Sequence, residues 1–289
     1  MAQAYYKVLQ KLQHTPLVVG RSEQGCQNFR DQTGVEVASC GLELFLKSQP
    51  DCVTFAIVAL NVVDLYPSCL ALLHYGVKHI LLEKPGALYQ WQLNNLRQLA
   101  EQKQAKVLIG YNRRLYACVQ HTKQQLEADG GVLSFYFEMT EWSHQIVQTS
   151  HPDEVKARWL TALASLCRSD DWERCGRVWS FIQLSGQLAI RLGNWPSAGR
   201  WALEISSEQR CFQFMPLEQV QQQLRGSVSW QSVALDVAID TEFKAGLYAQ
   251  VVAFLAQDLE HFCDLTTQIQ RMQWYEQMAG YEKSQQEII

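Results

Sequence analysis

Short apolar runs alternate with amphipathic stretches through the first 112 residues, and this rhythm limits the fold more than any other feature. The runs "CVTFAIVAL" (52–60) and "KHILLEKP" (78–85) are apolar without alternation, as expected of strands covered on both faces. After each of them, in 66–77 and in 89–104, apolar side chains recur at helical spacing. Strand, helix and strand in this order imply right-handed crossovers and a parallel, doubly wound sheet.

The pattern changes after about residue 115. A helix over 115–128 is followed by strands with alternating polarity, and successive strands without intervening helices predict an antiparallel sheet. We therefore divide the chain into a first domain with the parallel, doubly wound sheet (1–114) and a second α/β domain (115–289). The strands of the second domain are predicted at 132–141, 187–194 and 201–207, and its last two helices at 243–257 and 266–281.

Composition excludes several classes of function. Charged residues make up 19% of the chain and the formal net charge is −4, so nothing favours nucleic acid or an anionic membrane as a partner. The longest apolar runs have about half of the roughly 20 residues that span a bilayer, and the N-terminus lacks a signal peptide. Nine cysteines without a CxxC motif indicate reduced thiols in the cytoplasm, and no close ligand spacing predicts a metal site.

In the stretch "ILLEKPGAL" (80–88), the apolar run of a strand ends abruptly in an acid, a base and a proline. Ligands bind at the carboxyl ends of parallel strands, and Glu83, Lys84 and Pro85 lie at such an end. One interpretation is a surface charge pair beside a turn proline. The other is a Lys84 ammonium that polarises a hydroxyl or carbonyl, with Glu83 orienting it and Pro85 fixing the loop. Polar groups at two further strand ends favour the second interpretation: "GYNRRLY" (110–116) and "EWSH" (141–144).

Together these motifs resemble the Gfo/Idh/MocA family of nicotinamide-dependent sugar and inositol dehydrogenases. The resemblance covers most of the chain outside 161–186. It implies a Rossmann domain followed by an α/β domain whose open sheet often forms a dimer interface, and hence a homo-oligomer acting on a sugar or polyol. The segments that carry it include "LVVGRS" (17–22), "GVKHILLEKPGAL" (76–88), "GYNRRLY" (110–116), "GGVLSF" (130–135) and "EFKAGLYAQVVAFL" (242–255).

The resemblance also implies roles for single residues. Lys84 would be the catalytic-site lysine, contacting the reacting hydroxyl and the nicotinamide ribose, with Glu83 beside it. The implied substrate residues are Arg113, His144, Arg200 and Trp201. The implied cofactor residues are Arg21, Ser22, Ala59, Asn61, Glu83, Lys84, Pro85 and Asn112.

A strand is also predicted at "PLVVGR" (16–21), which would be the second strand of a complete Rossmann sheet, and the residues at its end bear on the choice of cofactor. Sites that prefer NAD place Asp or Glu there to bind the ribose 2′-hydroxyl. This chain has Gly20, Arg21 and Ser22 instead. Arg21 can form charge-assisted hydrogen bonds to a 2′-phosphate and Ser22 can donate another, so the sequence favours NADP, with NAD as the alternative. The competing interpretation of Arg21 is a solvated surface cation.

Two parts of the expected pattern are missing. Nicotinamide enzymes of this type hold the pyrophosphate on a glycine-rich turn before the first helix, whereas this sequence starts at Met1 within the helix. The predicted fold is therefore an incomplete Rossmann-like doubly wound parallel sheet followed by a C-terminal α/β domain with a largely antiparallel open sheet. Our hypothesis is an internal methionine from a mis-assigned start or a truncated gene, and the alternative is a rewired fold.

The second missing part is the acid/base. The family carries His-x-x-Asp on a helix where this chain reads "SLCRSD" (165–170), through either divergence or a local frameshift, and His144 is an outside candidate for the role. The function that follows is NAD(P)-dependent hydride transfer to or from a hydroxyl-bearing carbon of a sugar, nucleotide-sugar or inositol. The alternative is a non-catalytic remnant that binds sugar or dimerises through its C-terminal sheet.

Overall fold

The computed structural model of the chain describes residues 1–142, 187–193 and 201–278. These residues form two compact units, and the mixed α/β class that the sequence predicts is confirmed in both. None of the helices in this described part is both long and apolar enough to cross a membrane. The first unit comprises 1–111 and 247–278, and the second comprises 112–142, 187–193 and 201–246.

Helices and strands alternate along the first unit. Its elements are α1 (Ala2–Lys11), β1 (Val18–Val19), α2 (Glu23–Thr33), β2 (Val37–Ala38), α3 (Leu42–Lys47), β3 (Phe55–Val58), α4 (Val62–Tyr75), β4 (His79–Glu83), α5 (Gln90–Lys103) and β5 (Lys106–Gly110).

The main sheet of this unit has the order β3, β4, β5 with all three strands parallel. The side chains of Ile80, Leu81 and Leu82 in β4 are fully buried, because the central strand of a doubly wound sheet is covered by helices on both faces. The register pairs the last residue of β4, Glu83, with the last residue of β5, Gly110. The strand ends that carry the candidate site therefore lie at one edge of this sheet.

The doubly wound pattern is divided between two sheets. Strands β1 and β2 pair with each other in parallel, Val18 opposite Val37, and within the described residues neither pairs with β3. Helix α1 packs toward both sheets. The ring of Tyr6 meets the ring of Phe29 in α2 edge to face, with 5.6 Å between centroids, while Tyr5 hydrogen-bonds to the end of β4. The predicted parallel pairing is thus confirmed, and side chains of α1 connect the two sheets.

The second unit contains a long sheet with one helix before it and one short helix after it. The described strands have the order β11, β10, β9, β8, β6, β7, and every pairing is antiparallel except β6 with β7. The predicted, largely antiparallel sheet is therefore confirmed. The elements are a 3₁₀ turn (Asn112–Leu115), α6 (Ala117–Ala128), β6 (Ser134–Trp142), β7 (Gln187–Gly193), β8 (Trp201–Ser206), β9 (Arg210–Phe214), β10 (Gln221–Leu224), β11 (Gln231–Ser232) and α7 (Ala238–Glu242).

The end of the chain groups with the first unit, whereas the sequence assigned everything from 115 onward to the second domain. Two helices and a strand make this connection: α8 (Leu247–Ala256), β12 (Cys263–Asp264) and α9 (Leu265–Met278). Strand β12 pairs antiparallel with β5 and so extends the main sheet. Apolar periodicity revealed these helices but could not show which sheet they cover, since that depends on long-range packing.

In the described part of the second unit, three strands and one short helix were not predicted from the sequence. Strands β9, β10 and β11 and helix α7 are short, and β10 consists of three glutamines and a leucine, which is poor strand composition. The three strands form because each strand, from β8 onward, offers an edge on which the next antiparallel strand adds. Helix α4 also begins at Val62, four residues earlier than predicted.

Candidate active site at the end of strand β4

The four residues Glu83 to Gly86 form a turn directly after β4. The backbone N–H of Gly86 donates to the carbonyl of Glu83 at 3.0 Å, and the Lys84–Pro85 peptide bond is cis. Gly86 has φ +90°, and a Cβ there would lie 2.8 Å from Cδ1 of Ile109. Only glycine fits this position, both for its backbone angle and for its space. The sequence Glu-Lys-Pro-Gly is therefore a compact turn that presents Lys84 at the carboxyl end of β4.

Glu83 is a buried carboxylate held by the first helix. The hydroxyl of Tyr5 donates to Oε1 of Glu83 at 2.6 Å and also lies 3.1 Å from Oε1 of Gln250 in α8. Burial raises the pKa of Tyr5 well above its ordinary value, and the charge of Glu83 and the hydrogen bond to it raise the pKa further. Tyr5 consequently stays protonated and remains a donor. Gly110 leaves room for it, since a Cβ there would lie 3.2 Å from the Tyr5 hydroxyl.

Lys84 is half-buried in the middle of this turn, and both neighbours are fixed from outside it. Glu83 accepts from Tyr5, and the carbonyl of Pro85 accepts from the side-chain amide of Gln268 at 2.8 Å. A cation on a backbone held at both sides is suited to donate to a hydroxyl or carbonyl oxygen of a bound molecule. Glu83, Lys84 and Pro85 are consecutive residues of this turn, and the catalytic and cofactor roles assigned to them stay predictions.

Arg21 and Ser22 follow β1, where the sequence predicted a phosphate site. The Ser22 hydroxyl oxygen accepts from the backbone N–H of Gly25 at 3.2 Å, so Ser22 is the N-cap of α2. The guanidinium of Arg21 donates to the carboxylate of Asp64 in the first turn of α4. The Arg21 side chain is 67% exposed and therefore remains open to an anionic ligand, with Asp64 as a competing anion.

Ala59 and Asn61 lie just after β3. Asn61 is exposed and is the N-cap residue of α4, but its side chain makes no capping hydrogen bond; Ala59 is half-buried. Because β3 and β4 are parallel, with Val58 opposite Leu82, these residues and the Glu83–Gly86 turn follow neighbouring strand ends. This is the place where doubly wound sheets bind ligands.

The described side chains of this edge fit the dinucleotide that the sequence predicts. An exposed guanidinium at Arg21 suits a phosphate, and a half-buried ammonium at Lys84 suits a ribose or substrate hydroxyl. The first turn of α1, starting at Ala2, adds the positive end of a helix dipole to the same unit. Among the described residues no group of acidic, histidine and cysteine side chains could hold a metal ion.

Asn112 and Arg113 begin the second unit. Nδ2 of the buried Asn112 donates to the carbonyl of Ala245 at 2.9 Å. Gly246 has φ +68° and lies so close that a Cβ would be 2.1 Å from the Asn112 carbonyl oxygen. Asp240 completes the attachment, since its carboxylate accepts from the backbone N–H groups of Ala117 and Gly246. Asn112 is thus fixed within its own unit, while Arg113 beside it is half-buried.

The remaining predicted residues belong to parts that the structure does not describe. His144, Arg200 and the segment 165–170 lie outside the described residues. The backbone of Trp201 opens β8 and pairs with Met139, while its side chain is outside the described set. These roles stay predictions.

Several side chains around the turn were not found by sequence reasoning. Tyr5 showed only the spacing of an apolar helix face, and its partner Glu83 is 78 positions away. Gln268 is 183 positions from Pro85. For the buried helical residues Tyr5, Gln250 and Gln268, a polar residue at an apolar position of a helix is the only signal in the sequence. The side chains in question are Tyr5, Asp64, Tyr111, Gln250 and Gln268.

No protein-family model and no curated protein sequence matches this chain. Solved structures, in contrast, match it over almost its whole length. Biliverdin reductase from Synechocystis sp. PCC 6803, in complex with biliverdin and NADP+, has a TM-score of 0.72 at 17% identity, covering 97% of this chain and 95% of its own. UDP-N-acetylglucosamine 3-dehydrogenase from Acidithiobacillus ferrooxidans has a TM-score of 0.68 at 13% identity, covering 96% and 93%.

A third similar structure is an inositol dehydrogenase homolog from Azotobacter vinelandii, complexed with NADH and myo-inositol. It has a TM-score of 0.66 at 14% identity and covers 93% of this chain and 88% of its own. At such identities the likeness establishes the fold. The chain has the fold of the Gfo/Idh/MocA-type oxidoreductases, as its motifs predicted.

Proposed function

We propose that this protein is a nicotinamide-dependent oxidoreductase that transfers hydride to or from a hydroxyl-bearing carbon of a sugar, nucleotide-sugar or inositol. The observation that carries the proposal is the position of Lys84. Its ammonium group stands on a turn at the carboxyl end of a central parallel strand, between two residues anchored by buried side chains. This is the edge at which doubly wound sheets bind ligands.

Each residue has a separate role in this proposal. Lys84 donates to the reacting oxygen and stabilises the negative charge that develops there as the O–H proton passes to water or to His144, the candidate base. Glu83 and Pro85 hold Lys84 in place. The nicotinamide, when bound, accepts or supplies the hydride. Arg113, His144, Arg200 and Trp201 bind substrate in this proposal, and Asn112 belongs to the cofactor site.

We further propose that NADP is preferred to NAD, because the exposed guanidinium of Arg21 follows β1 where an acidic residue would repel a 2′-phosphate. The test is a titration of the purified protein with NADPH and with NADH, followed by the fluorescence of the reduced nicotinamide. Arg21→Ala should weaken NADPH binding about tenfold to a hundredfold, since one charge-assisted contact contributes about 1.5–3 kcal/mol, and leave NADH binding unchanged. Equal affinities for both cofactors would contradict the preference.

Lys84 itself is tested by turnover with a panel of sugars, nucleotide-sugars and inositols. Lys84→Ala should abolish turnover while circular dichroism and the unfolding midpoint stay unchanged. Lys103→Ala is the matched control, because Lys103 is an exposed lysine at the far end of α5. Substantial residual turnover in Lys84→Ala would show that the lysine has another role. Sugar binding without any binding of cofactor would instead support a non-catalytic remnant.

The setting of this function is a cytoplasmic homo-oligomer formed through the open sheet of the second unit. The cysteines of the described residues form no disulfide, which supports the cytoplasm, and the homo-oligomer is what the resemblance implies. Sedimentation velocity at several concentrations tests the oligomer, and a monomer throughout would contradict it.

A further inference from the structure

Gln268 lies in the first turn of α9 and is fully buried. Its Nε2 donates to the carbonyl oxygen of Pro85 at 2.8 Å. A backbone carbonyl only accepts, so the amide must present its NH₂ end to the turn. The turn that carries Lys84 is therefore held by a donor from the last described helix of the chain.

The other end of the same amide is also engaged. Oε1 of Gln268 accepts from the hydroxyl of Tyr111 at 2.7 Å, and the thiol of Cys263 lies 3.5 Å away. The Tyr111 hydroxyl is in turn 3.2 Å from the hydroxyl of Tyr275. The amide is thus fixed at one end by Pro85 and at the other by Tyr111, just after β5, and Cys263 in β12. It cannot rotate without breaking hydrogen bonds in a buried environment, where their loss is costly.

Lys84 stands between two anchors that come from opposite ends of the sequence. Glu83 is held by Tyr5 of α1, and Pro85 is held by Gln268 of α9. A cation that must donate to a reacting oxygen has to be placed within a fraction of an ångström. The Gln268 bond acts on the backbone of the residue after Lys84, so its influence on the ammonium passes through the turn.

We infer that Gln268 is a positioning residue that fixes the Lys84 ammonium at the end of β4. The inference rests on the proposed function of Lys84 and adds to it the hydrogen bond that sets the position of the lysine. Tyr111 serves as the second support, because it holds the carbonyl end of the Gln268 amide.

The variant that tests this is Gln268→Glu, which keeps the size of the side chain and has no donor for Pro85 once its carboxyl is ionised, at the alkaline pH of lysine acetylation. Gln270→Glu is the matched control, since Gln270 lies on the exposed face of the same helix. The first readout needs neither cofactor nor substrate: competitive acetylation of lysines, measured by peptide mass spectrometry. Lys84 should become at least threefold more reactive in Gln268→Glu, while Lys78 and Lys106 at the opposite strand ends stay as in the wild type.

Gln268→Met covers the case in which a buried glutamate prevents folding, because it removes the same donor without adding a charge. It should raise the reactivity of Lys84 in the same way. An unchanged reactivity of Lys84 in the folded variant, whichever of the two folds, would overturn the inference.

Turnover supplies a second readout. Gln268→Glu or Gln268→Met should lower kcat at least tenfold and change the KM for cofactor by less than about threefold, because the predicted cofactor residues Arg21, Ser22 and Asn61 are untouched. If Lys84→Ala retains full turnover, the proposed function fails. The acetylation result then still decides whether Gln268 positions Lys84, so the two failures are distinguishable.

Discussion

The hydroxyl of Tyr5 donates a 2.6 Å hydrogen bond to the carboxylate of Glu83, which is 78 positions further along the chain. Tyr5 belongs to the first helix, and Glu83 ends the central strand of the main sheet. Both side chains are buried. The contact therefore makes the first ten or so residues part of the candidate site, although the sequence motif of that site is at Glu83, Lys84 and Pro85.

Tyr5→Phe should lower the free energy of unfolding by about 1–3 kcal/mol, because it leaves the buried Glu83 carboxylate without this donor. Urea unfolding followed by circular dichroism measures the change. Tyr66→Phe is the control, since Tyr66 also shares a hydrogen bond, with Asn95, but does so at the surface, and its loss should change the free energy by less than about 0.5 kcal/mol. Equal effects of the two substitutions would contradict the burial argument.

The raised pKa of Tyr5 predicts a loss of stability in alkali. A group whose pKa is higher in the folded chain contributes stability that is fully present below its unfolded pKa, about 10 for tyrosine, and is lost as the pH rises toward the folded value. The free energy of unfolding should therefore fall as the pH rises above about 10. Tyr5→Phe should show a smaller fall across the same range, and identical pH profiles of the two proteins would contradict the prediction.

Sequence reasoning located the strand ends but not the side chains that support them. The parallel and antiparallel sheets and the turn at Glu83 to Gly86 follow from local patterns of polarity and from glycine and proline. The anchors Tyr5 and Gln268 do not, because each is one polar residue in a helix and its partner is 78 or 183 positions away. Packing of distant elements decides such contacts, and a single sequence contains no direct signal for it.

Asp64→Asn should strengthen binding of NADPH about threefold to tenfold and leave NADH unchanged. In the wild type the Asp64 carboxylate accepts a hydrogen bond from the guanidinium of Arg21 and repels a second anion there. The nicotinamide fluorescence titration described for Arg21 measures the effect. Glu101→Gln is the control, since Glu101 pairs with Arg97 on the exposed face of α5. An equal change for both cofactors would contradict a role of Asp64 in their discrimination.

The second unit has its own buried ion pair. The carboxylate of Asp129, whose side chain is 4% exposed, lies 2.7 Å from Nε of Arg210 and accepts from the Ser207 hydroxyl at 2.7 Å. Asp129→Ala should lower the free energy of unfolding by about 3 kcal/mol, because it leaves the Arg210 charge without its partner. Urea unfolding again measures this.

Glu127→Ala is the control for Asp129. Glu127 forms an exposed ion pair with Lys123 on the same helix, at 3.9 Å, and its removal should cost less than about 1 kcal/mol. A loss at Asp129 no greater than at Glu127 would show that the buried pair contributes little.

The division of the parallel strands into two sheets has a consequence for cooperativity. A two-stranded sheet is marginally stable by itself, and the β1–β2 sheet is tied to the main sheet by the side chains of α1 and by the pair of Arg21 with Asp64 rather than by a continuous backbone ladder. Residues 18–38 should then open and reclose as a smaller folding unit while β3, β4 and β5 stay folded. A phosphate bound at Arg21 would shift this local equilibrium toward the folded form, so ligand binding and local folding would be thermodynamically coupled.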